Sequence, residues 1–511
     1  MKTVQTSHGL LAGVERDGVT EYRGVPYAAP TQGEYRLAPP RPAEPWSGVR
    51  QANTFAPAVL QEKNPLMGIE EIGADSLCLN IWVPEGDGPF PVMVWFHGGG
   101  YLAGSPSQRL YEGAFLARAQ KVIVVNAAYR LGFSGYGWAA DLLPGIAAPG
   151  NAGLRDQVAA LEWVKENIAG FAGDPRQVTI FGESAGGFSV ATLLATPAAS
   201  TLFQRAIVQS GAGDMVLSPD EAGRVSEMVL EALPGGGSLT DRFLQASDKD
   251  LVRAQRVAYK QLVKRGLRDS TPQFSMTCLP VVDGEFLPQL PVTAVAAGSA
   301  RDKALMAGCC RDEWHLFQFA APFNGGVGLD RLRNLGEDEL EKRFQRGLPE
   351  HAEAALAHYR STITPDPRRG ILDISSAMET DRLFRVPTLR LLDAHSGAGG
   401  ETWGFLFTWE TEAFGVPVGA CHVVDVPFVF DLTDSPMGQL FTGGGEQAKA
   451  LATGVGQAWG DFARGQSPGW ADWSESRQVH CFGGEQPDQP LLSPEAEKLW
   501  AEIIPAPSTG G

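Results

Sequence analysis

The sequence predicts an α/β fold, with a large, mostly parallel central sheet flanked by helices. Residues 91–96 and 121–126 are strand-sized apolar runs, and residues 153–169 have the spacing of a helix. The strand runs are continuously apolar instead of alternating, which is typical of parallel strands that are covered on both faces. Such strands, when they alternate with helices, indicate an α/β architecture.

The helix at 153–169 is predicted by apolar residues that repeat every three or four positions from Leu154 to Ile168 and so share one buried face. Short apolar runs predict two further strands, at 178–181 and 206–209. The later predicted elements are helices over 218–264 with a break at 234–237, a strand at 304–308, helices over 325–395, a strand at 403–409 and a C-terminal helix at 446–465.

The order of these elements predicts one domain over residues 1–511. Strands resume after each helical stretch, so the helical stretches are expected to be insertions into a single sheet. We place the insertions around 55–75, 212–300 and 314–400, and we expect them to form the walls of an active-site gorge.

Composition excludes several classes of function. The chain has 511 residues, 43% of them hydrophobic, and a net charge of −17, which suits a large core and disfavours binding to nucleic acid. Its apolar runs are too short for a membrane span, and no signal peptide is visible at the N-terminus. The six cysteines lack CxxC or metal-ligand spacing. We therefore expect a cytoplasmic protein. No feature of the sequence decides the oligomeric state, for which a monomer is our expectation.

The most informative motif is formed by Gly182, Ser184 and Gly186, with a predicted strand before it and the start of a helix after it. This is the pattern of a nucleophile elbow, a strained turn that lifts a serine hydroxyl clear of the backbone. The five-residue pattern alone is weak, because a glycine-rich turn between a strand and a helix is the alternative. The flanking strand and helix favour the functional interpretation.

A nucleophilic serine also needs donors for the developing oxyanion. The strand at 91–96 leads into three glycines, Gly98, Gly99 and Gly100, whose N–H groups can face a cavity without obstruction by side chains. The N–H of Ala185 would be the remaining donor. A dinucleotide-binding loop is the alternative, but such a loop opens directly into a helix, whereas the residues that follow here suit a loop.

The general base must be one of eight histidines. His422 lies in a loop of small residues before an apolar segment, where its side chain could point into a site; the alternative is a core histidine bonded to the backbone. His97 is expected to have an architectural role within the glycine loop. Three others, in charged helical stretches, are expected to be solvated: His351, His358 and His395.

The acid that orients the histidine is expected at the C-terminal end of a strand, where functional residues of parallel sheets collect. Asp312 and Glu313 both follow the predicted strand at 304–308. Spacing alone does not choose between them. Either gives the chain order serine, acid, histidine that is expected for this class of fold.

Ordered blocks along nearly the whole chain resemble the type B carboxylesterase family, which includes bacterial p-nitrobenzyl-type esterases and the cholinesterases. The blocks lie at 23–28, 75–82, 97–101, 151–157, 160–164, 171–175, 181–186, 209–211, 311–313 and 419–422. The resemblance implies the α/β-hydrolase fold. It also implies a serine esterase that works without a metal or cofactor.

Carried over residue by residue, the resemblance implies a catalytic triad of Ser184 as nucleophile, Glu313 as acid and His422 as general base. It thereby selects Glu313 over Asp312. The oxyanion hole would be formed by the N–H groups of Gly99, Gly100 and Ala185. Supporting residues implied by the resemblance are Ser210 beside the acid, Asp425 three residues after the histidine, and Glu183 beside the nucleophile.

The sequence departs from the family pattern in three places. Ser76 stands in the segment where secreted relatives carry a cysteine, so that disulfide is missing. Ala74 stands where relatives have a glutamate, which puts their ion pair with Arg36 in doubt. No aromatic residue occurs from 61 to 77, where cholinesterases carry the tryptophan that stacks on choline, so a cation–π site is not expected there.

The function that we expect is hydrolysis of neutral carboxylic esters with short to medium acyl chains and broad specificity, through an acyl-enzyme intermediate. The partner is then a small-molecule ester. The alternatives are a lipase acting on aggregated lipid esters and a non-catalytic member of the family. Aromatic residues that could line the pocket, or equally belong to the core, are Tyr101, Phe188, Trp314 and Phe317.

Overall fold

The computed structural model of the chain describes residues 2–264, 277–320, 325–413, 415–484 and 487–504. The predicted insertions at 212–300 and 314–400 include residues 265–276 and 321–324, which lie outside the described residues. The division of the chain into one domain with three insertions stays a prediction.

In the part of the chain that the structure describes, ten strands form one central sheet, in the order β15-β12-β11-β10-β9-β7-β8-β6-β4-β3. Three strands form a small sheet near the N-terminus, and two form a hairpin. In chain order the strands are β1 Thr3–Thr6, β2 Gly9–Ala12, β3 Val14–Arg16, β4 Val19–Pro26, β5 Val49–Gln51, β6 Cys78–Pro84, β7 Phe90–Phe96, β8 Ile123–Ala127, β9 Gly173–Glu183, β10 Arg205–Gln209, β11 Ala304–Cys310, β12 Thr402–Phe407, β13 Thr411–Ala413, β14 Val416–Gly419 and β15 Val479–Phe482.

The seven strands from β8 through β15 in the sheet order run parallel to their neighbours, while β6, β4 and β3 are added antiparallel at one edge. This confirms the prediction of a large, mostly parallel sheet. The parallel register brings the C-terminal ends of β9, β10 and β11 side by side: Glu183 pairs with Gln209, and Gln209 pairs with Gly308.

Helices lie between the strands and after them. They are α1 Ala114–Gln120, α2 Gly132–Tyr136, α3 Ala152–Asn167, α4 Ala185–Leu194, α5 Pro219–Glu231, α6 Leu239–Gln245, α7 Asp248–Lys264, α8 Pro291–Ala296, α9 Trp314–Phe319, α10 Leu329–Arg333, α11 Glu337–Gly347, α12 Ala352–Thr362, α13 Leu372–Thr380, α14 Val386–Gly397, α15 Val426–Val429, α16 Pro436–Thr442, α17 Glu446–Ala463, α18 Trp473–Ser476 and α19 Pro494–Ile503. A π-helical turn, Asp381–Arg385, joins α13 to α14.

Predicted and observed elements agree to within a few residues at most of their ends. The helix predicted at 153–169 ends at Asn167, because Ile168–Phe171 tightens into a 3-10 turn. The strand predicted at 178–181 is longer and spans Gly173–Glu183, so that it leads directly to Ser184.

The core lies on both faces of the central sheet. Along β7, Val92, Val94 and Phe96 belong to one hydrophobic cluster, while Met93 and Trp95 belong to another. All seven residues of β7 are buried. The unbroken apolar run in the sequence is therefore explained by burial of both faces.

One histidine differs from its predicted environment. His395 is fully buried, not solvated, and its two ring nitrogens lie 2.7 Å from Thr402 Oγ1 and 3.1 Å from the carbonyl oxygen of Ala300. The helical charge pattern was misleading because this side chain lies on the inner face of α14. His351 and His358 are partly exposed.

One further observation bears on the predicted departures from the family pattern. Arg36, for which the ion pair of the relatives was in doubt, pairs instead with Asp248 at 3.1 Å. The neighbouring thiols of Cys309 and Cys310 are both buried and free. Among the described residues, no helix has the length and apolar character needed to span a membrane.

Candidate active site

Ser184 lies at a strained turn between β9 and α4. Its backbone has φ 57° and ψ −125°, a conformation that costs energy for a residue with a side chain and that is found at functional sites. The two glycines of the motif are required by close packing. A Cβ on Gly186 would lie 1.8 Å from the carbonyl oxygen of Phe96, and a Cβ on Gly182 would lie 2.5 Å from the carbonyl carbon of Gly186.

Three backbone N–H groups near this turn are available to a ligand. Ala185 is the first residue of α4, where an N–H has no carbonyl partner within the helix. The N–H groups of Gly99 and Gly100 donate no hydrogen bond to any residue that the structure describes. Gly99 has φ 113°, and a Cβ there would lie 1.9 Å from the carbonyl oxygen of Ala103, so only glycine fits.

Buried hydroxyl and imidazole groups fix the position of the glycine loop. Tyr101 has φ 59°, and its hydroxyl lies 3.3 Å from Ser189 Oγ on α4. The Tyr129 hydroxyl donates to the carbonyl oxygen of His97 at 2.6 Å, and the two rings stack. Burial lowers the pKa of His97 to about 4, so this imidazole is neutral. These contacts fit the architectural role that was predicted for His97.

The structure brings His422 and Glu313 together. His422 Nδ1 lies 2.6 Å from Glu313 Oε2, and the other carboxylate oxygen accepts the N–H of Cys310 at 2.7 Å. Glu313 is fully buried and His422 is 2% exposed. Both carboxylate oxygens of Glu313 therefore have a partner. The contact at Nδ1 orients the imidazole so that its other nitrogen, Nε2, points away from Glu313.

Asp312, the other acid that spacing allowed, points elsewhere. Its carboxylate accepts hydrogen bonds from Arg311 at 2.8 Å and from the N–H of Ala420 at 2.9 Å. The N–H of Asp312 in turn donates to the carbonyl oxygen of Ala420 at 2.9 Å. Asp312 thus ties the turn that carries Glu313 to the loop that carries His422.

Glu183 contacts the opposite side of the imidazole. Glu183 Oε1 lies 3.0 Å from His422 Nε2, although the two atoms are not aligned as a hydrogen bond. No hydrogen bond joins Ser184 Oγ to His422 among the described residues. The sequence indicated that Glu183 adjoins the nucleophile but not this contact, which depends on the space left by Gly98, where a Cβ would lie 2.8 Å from Glu183 Oε2.

Electrostatics around His422 favour its protonated form. Burial opposes a charge on the imidazole, but Glu183 and Glu313 together outweigh this effect and raise the pKa of His422 to about 10. Burial raises the pKa of Glu183 as well, and His422 opposes that shift. The protonation of His422 is therefore linked to the charge of Glu183, its neighbour at 3.0 Å.

Asp425 and Ser210 form a second layer beneath these groups. Asp425 accepts a hydrogen bond from Gln209 Nε2 at 2.7 Å, and burial followed by repulsion from Glu183 raises its pKa to about 7. The Ser210 hydroxyl contacts Cys310 Sγ at 3.8 Å, and its N–H donates to the carbonyl oxygen of Gly308 at 2.8 Å. Both residues thus border the turn that carries Glu313.

Aromatic rings flank the imidazole. The ring centroids of Phe317 and Phe384 lie 5.0 and 5.1 Å from that of His422. Phe317 is partly exposed, as a lining residue would be. The other three candidates for the lining are almost completely buried: Tyr101, Phe188 and Trp314. Sequence reasoning missed Phe384, which carries no motif of its own. No cluster suited to a metal ion occurs among the described residues.

The chain is similar to known proteins over most of its length. Residues 1–487 match the Carboxylesterase family. The chain is 33% identical over 474 residues to the para-nitrobenzyl esterase of Bacillus subtilis, covering 91% of this chain and 90% of that protein. It is 30% identical over 546 residues to the acetylcholinesterase of Bungarus fasciatus, covering 98% of this chain and 86% of that protein.

Solved structures of similar proteins superpose over nearly the whole chain. A carboxylesterase of Geobacillus stearothermophilus at pH 6.2 has a TM-score of 0.84 and 34% identity, and covers 98% of this chain and 99% of that one. A PNB esterase has a TM-score of 0.83 and 31% identity, and covers 99% of this chain and 100% of that one. The chain therefore belongs to the carboxylesterase family and has the α/β-hydrolase fold.

Proposed function

We propose that this carboxylic-ester hydrolase cleaves neutral esters through an acyl-enzyme intermediate on Ser184. One observation carries the proposal: a buried hydrogen bond of 2.6 Å joins Glu313 to His422 beside the strained turn of Ser184. A nucleophilic serine needs a base to take its proton and an acid to orient that base. Ser184, His422 and Glu313 are the proposed triad.

The first step is attack by Ser184 Oγ on the ester carbonyl, with His422 Nε2 taking the hydroxyl proton. When the imidazole is charged, its Nε2–H faces Glu183 at 3.0 Å. When it is neutral, the lone pair on Nε2 gains nothing from that carboxylate and is free to accept from Ser184. Contacts of this kind often tighten only when substrate is bound.

The tetrahedral oxyanion is stabilised by the N–H groups of Gly99, Gly100 and Ala185. Each such donor contributes about 3 kcal/mol to the transition state. The alcohol then leaves with the proton that His422 holds. A water molecule, activated by the same imidazole, attacks the acyl-enzyme and releases the acid.

The remaining polar residues around His422 support its role as the base. Glu313 selects the tautomer with a proton on Nδ1 and stabilises the imidazolium. Glu183, Asp425 and Ser210 shape the charge around it, and three buried carboxyl groups near one imidazole disfavour an anionic substrate. Short to medium acyl chains, a monomeric state and a cytoplasmic location stay predictions.

The direct test is Ser184→Ala assayed with p-nitrophenyl butyrate. We expect turnover to vanish while the thermal melt and circular dichroism stay those of the wild type. A folded Ser184→Ala variant with unchanged activity would contradict the proposal. Wild-type rates on triolein emulsions and on soluble short-chain esters, measured side by side, distinguish an esterase from a lipase.

A further inference from the structure

The π turn, Asp381–Arg385, lies against the turn that carries Glu313. A π turn contains an extra residue relative to an α-helical turn and is frequent at functional sites. Phe384 and Arg385 are the last two residues of this turn.

Three contacts connect this segment to the proposed acid and base. The Phe384 ring lies 5.1 Å from the His422 ring, centroid to centroid. Arg385 Nη2 donates to the carbonyl oxygen of Arg311 at 2.7 Å, two residues before Glu313. Immediately before the π turn, Thr380 Oγ1 accepts the N–H of Trp314 at 3.1 Å, one residue after Glu313. The backbone is therefore held on both sides of Glu313.

Arg385 is itself anchored by a chain of buried polar groups. Its Nη1 lies 2.5 Å from Asp381 Oδ1, and these side chains are 18% and 4% exposed. The Tyr359 hydroxyl donates to the other carboxylate oxygen of Asp381 at 2.6 Å. Trp500 Nε1, on the C-terminal helix α19, donates to that hydroxyl at 2.8 Å. A continuous series of hydrogen bonds thus runs from α19 to the carbonyl of Arg311.

The ion pair between Arg385 and Asp381 is connected to the backbone at Arg311. The guanidinium is planar and presents donors at fixed angles, so it can hold a carboxylate and a carbonyl at the same time. Glu313 and His422 must keep their separation of 2.6 Å while the imidazole changes charge. A small displacement of the backbone at Arg311 would be transmitted to Glu313.

We propose that Arg385 is a positioning residue, which, with Asp381 and Phe384, sets the geometry of the Glu313–His422 pair. This inference rests on the roles proposed above for Glu313 and His422. Arg385 contacts neither substrate nor the reacting atoms, so its effect is on the rate of the chemical steps and not on ground-state binding.

The test compares Arg385→Met with Arg385→Lys and with Arg477→Met. Arg477 is the control, because its guanidinium also holds two acceptors at once, here the carboxylates of Asp393 at 2.8 Å and Glu497 at 2.7 Å, outside the proposed site. We expect Arg385→Met to lower kcat on the order of 10- to 100-fold, with KM within about twofold of the wild type. Arg385→Lys should recover part of kcat, and Arg477→Met should retain all of it.

A second readout is independent of turnover. We expect the proton on His422 Nδ1, which lies 2.6 Å from Glu313 Oε2, to give a far-downfield proton resonance in the wild type. We expect Arg385→Met to shift or broaden this resonance and Arg477→Met to leave it unchanged. If the wild type hydrolysed no ester, the proposed function would fail, and the resonance would still test the positioning role.

Either of two outcomes would overturn the proposal. The first is a folded Arg385→Met variant with wild-type kcat and an unchanged resonance. If Arg385→Met does not fold, Tyr359→Phe and Arg385→Lys take its place. Tyr359→Phe removes only the hydroxyl that orients Asp381, and we expect a lower kcat at unchanged KM. Wild-type kcat and resonance in both of these variants would be the second contradicting outcome.

Discussion

Glu183→Gln tests how the charge beside His422 sets the pH dependence of the enzyme. The change removes a negative charge 3.0 Å from His422 Nε2 and conserves the shape of the side chain. His422 acts as a base only when neutral, so kcat/KM rises with pH through the pKa of the imidazole. Because Glu183 raises that pKa, its removal should move the rise to lower pH.

The magnitude follows from the separation of the charges. Two unit charges 3.0 Å apart interact by about 5.5 kcal/mol at an effective dielectric constant of about 20, which corresponds to about four pKa units. Asp425 ionises more readily once Glu183 is neutral, and it then replaces part of the lost charge. Glu313 remains in place. We therefore expect the apparent pKa in kcat/KM to fall by about two units.

The assay is kcat/KM for p-nitrophenyl butyrate from about pH 5 to pH 11, corrected for spontaneous hydrolysis and with the product quantified by chromatography. Glu112→Gln is the matched control, because Glu112 is a partly buried glutamate whose pKa is also raised by burial, while the charges that act on it are those of Glu21 and Arg23 and not that of His422. Its profile should coincide with that of the wild type. An apparent pKa that stays constant or rises in Glu183→Gln would refute the reasoning.

Two further predictions concern the other carboxylates. Glu313→Gln should lower kcat on the order of 10³- to 10⁴-fold, which is a smaller loss than that expected for His422→Ala. Asp312→Asn should lower kcat far less than Glu313→Gln. A larger loss of kcat in Asp312→Asn than in Glu313→Gln would show that the acid is assigned wrongly. Burial raises the pKa of Asp425 to about 7, because the folded state favours the neutral carboxyl group. The stability that this neutral group contributes is fully present below the ordinary pKa of an aspartate, and it is lost as pH rises through 7. Asp425→Asn should therefore gain stability relative to the wild type, by up to about 4 kcal/mol between about pH 4 and pH 8; urea unfolding at the two pH values measures this, and a constant difference would contradict it.

Local pattern predicted much of the fold. The strand Phe90–Phe96 was expected from its continuous apolar run, and burial on both faces of the sheet explains that run. The helix at Ala152–Asn167 was expected from its spacing. His395 was predicted wrongly, because charged neighbours along a helix do not reveal which face packs inward.

Part of the site could likewise be predicted from the sequence, and part could not. The turn at Ser184 could be inferred locally, since its glycines are demanded by clashes with immediate neighbours and with the adjoining strand. The choice between Asp312 and Glu313 could not be made from the residues alone and depended on the family resemblance. The contacts of Glu183 and Phe384 with His422 were not predicted at all.

The sequence by itself determined the order of strands and helices, the strained turn at Ser184 and the family to which the chain belongs. These features depend on side-chain periodicity and on steric limits between residues that are near in the chain. Only the tertiary structure decided which groups surround His422, because Glu313 is separated from it by 109 positions and is brought close by the packing of the helices and loops beyond the sheet. Contacts of this kind depend on the register of whole strands and on a π turn that no local pattern predicts.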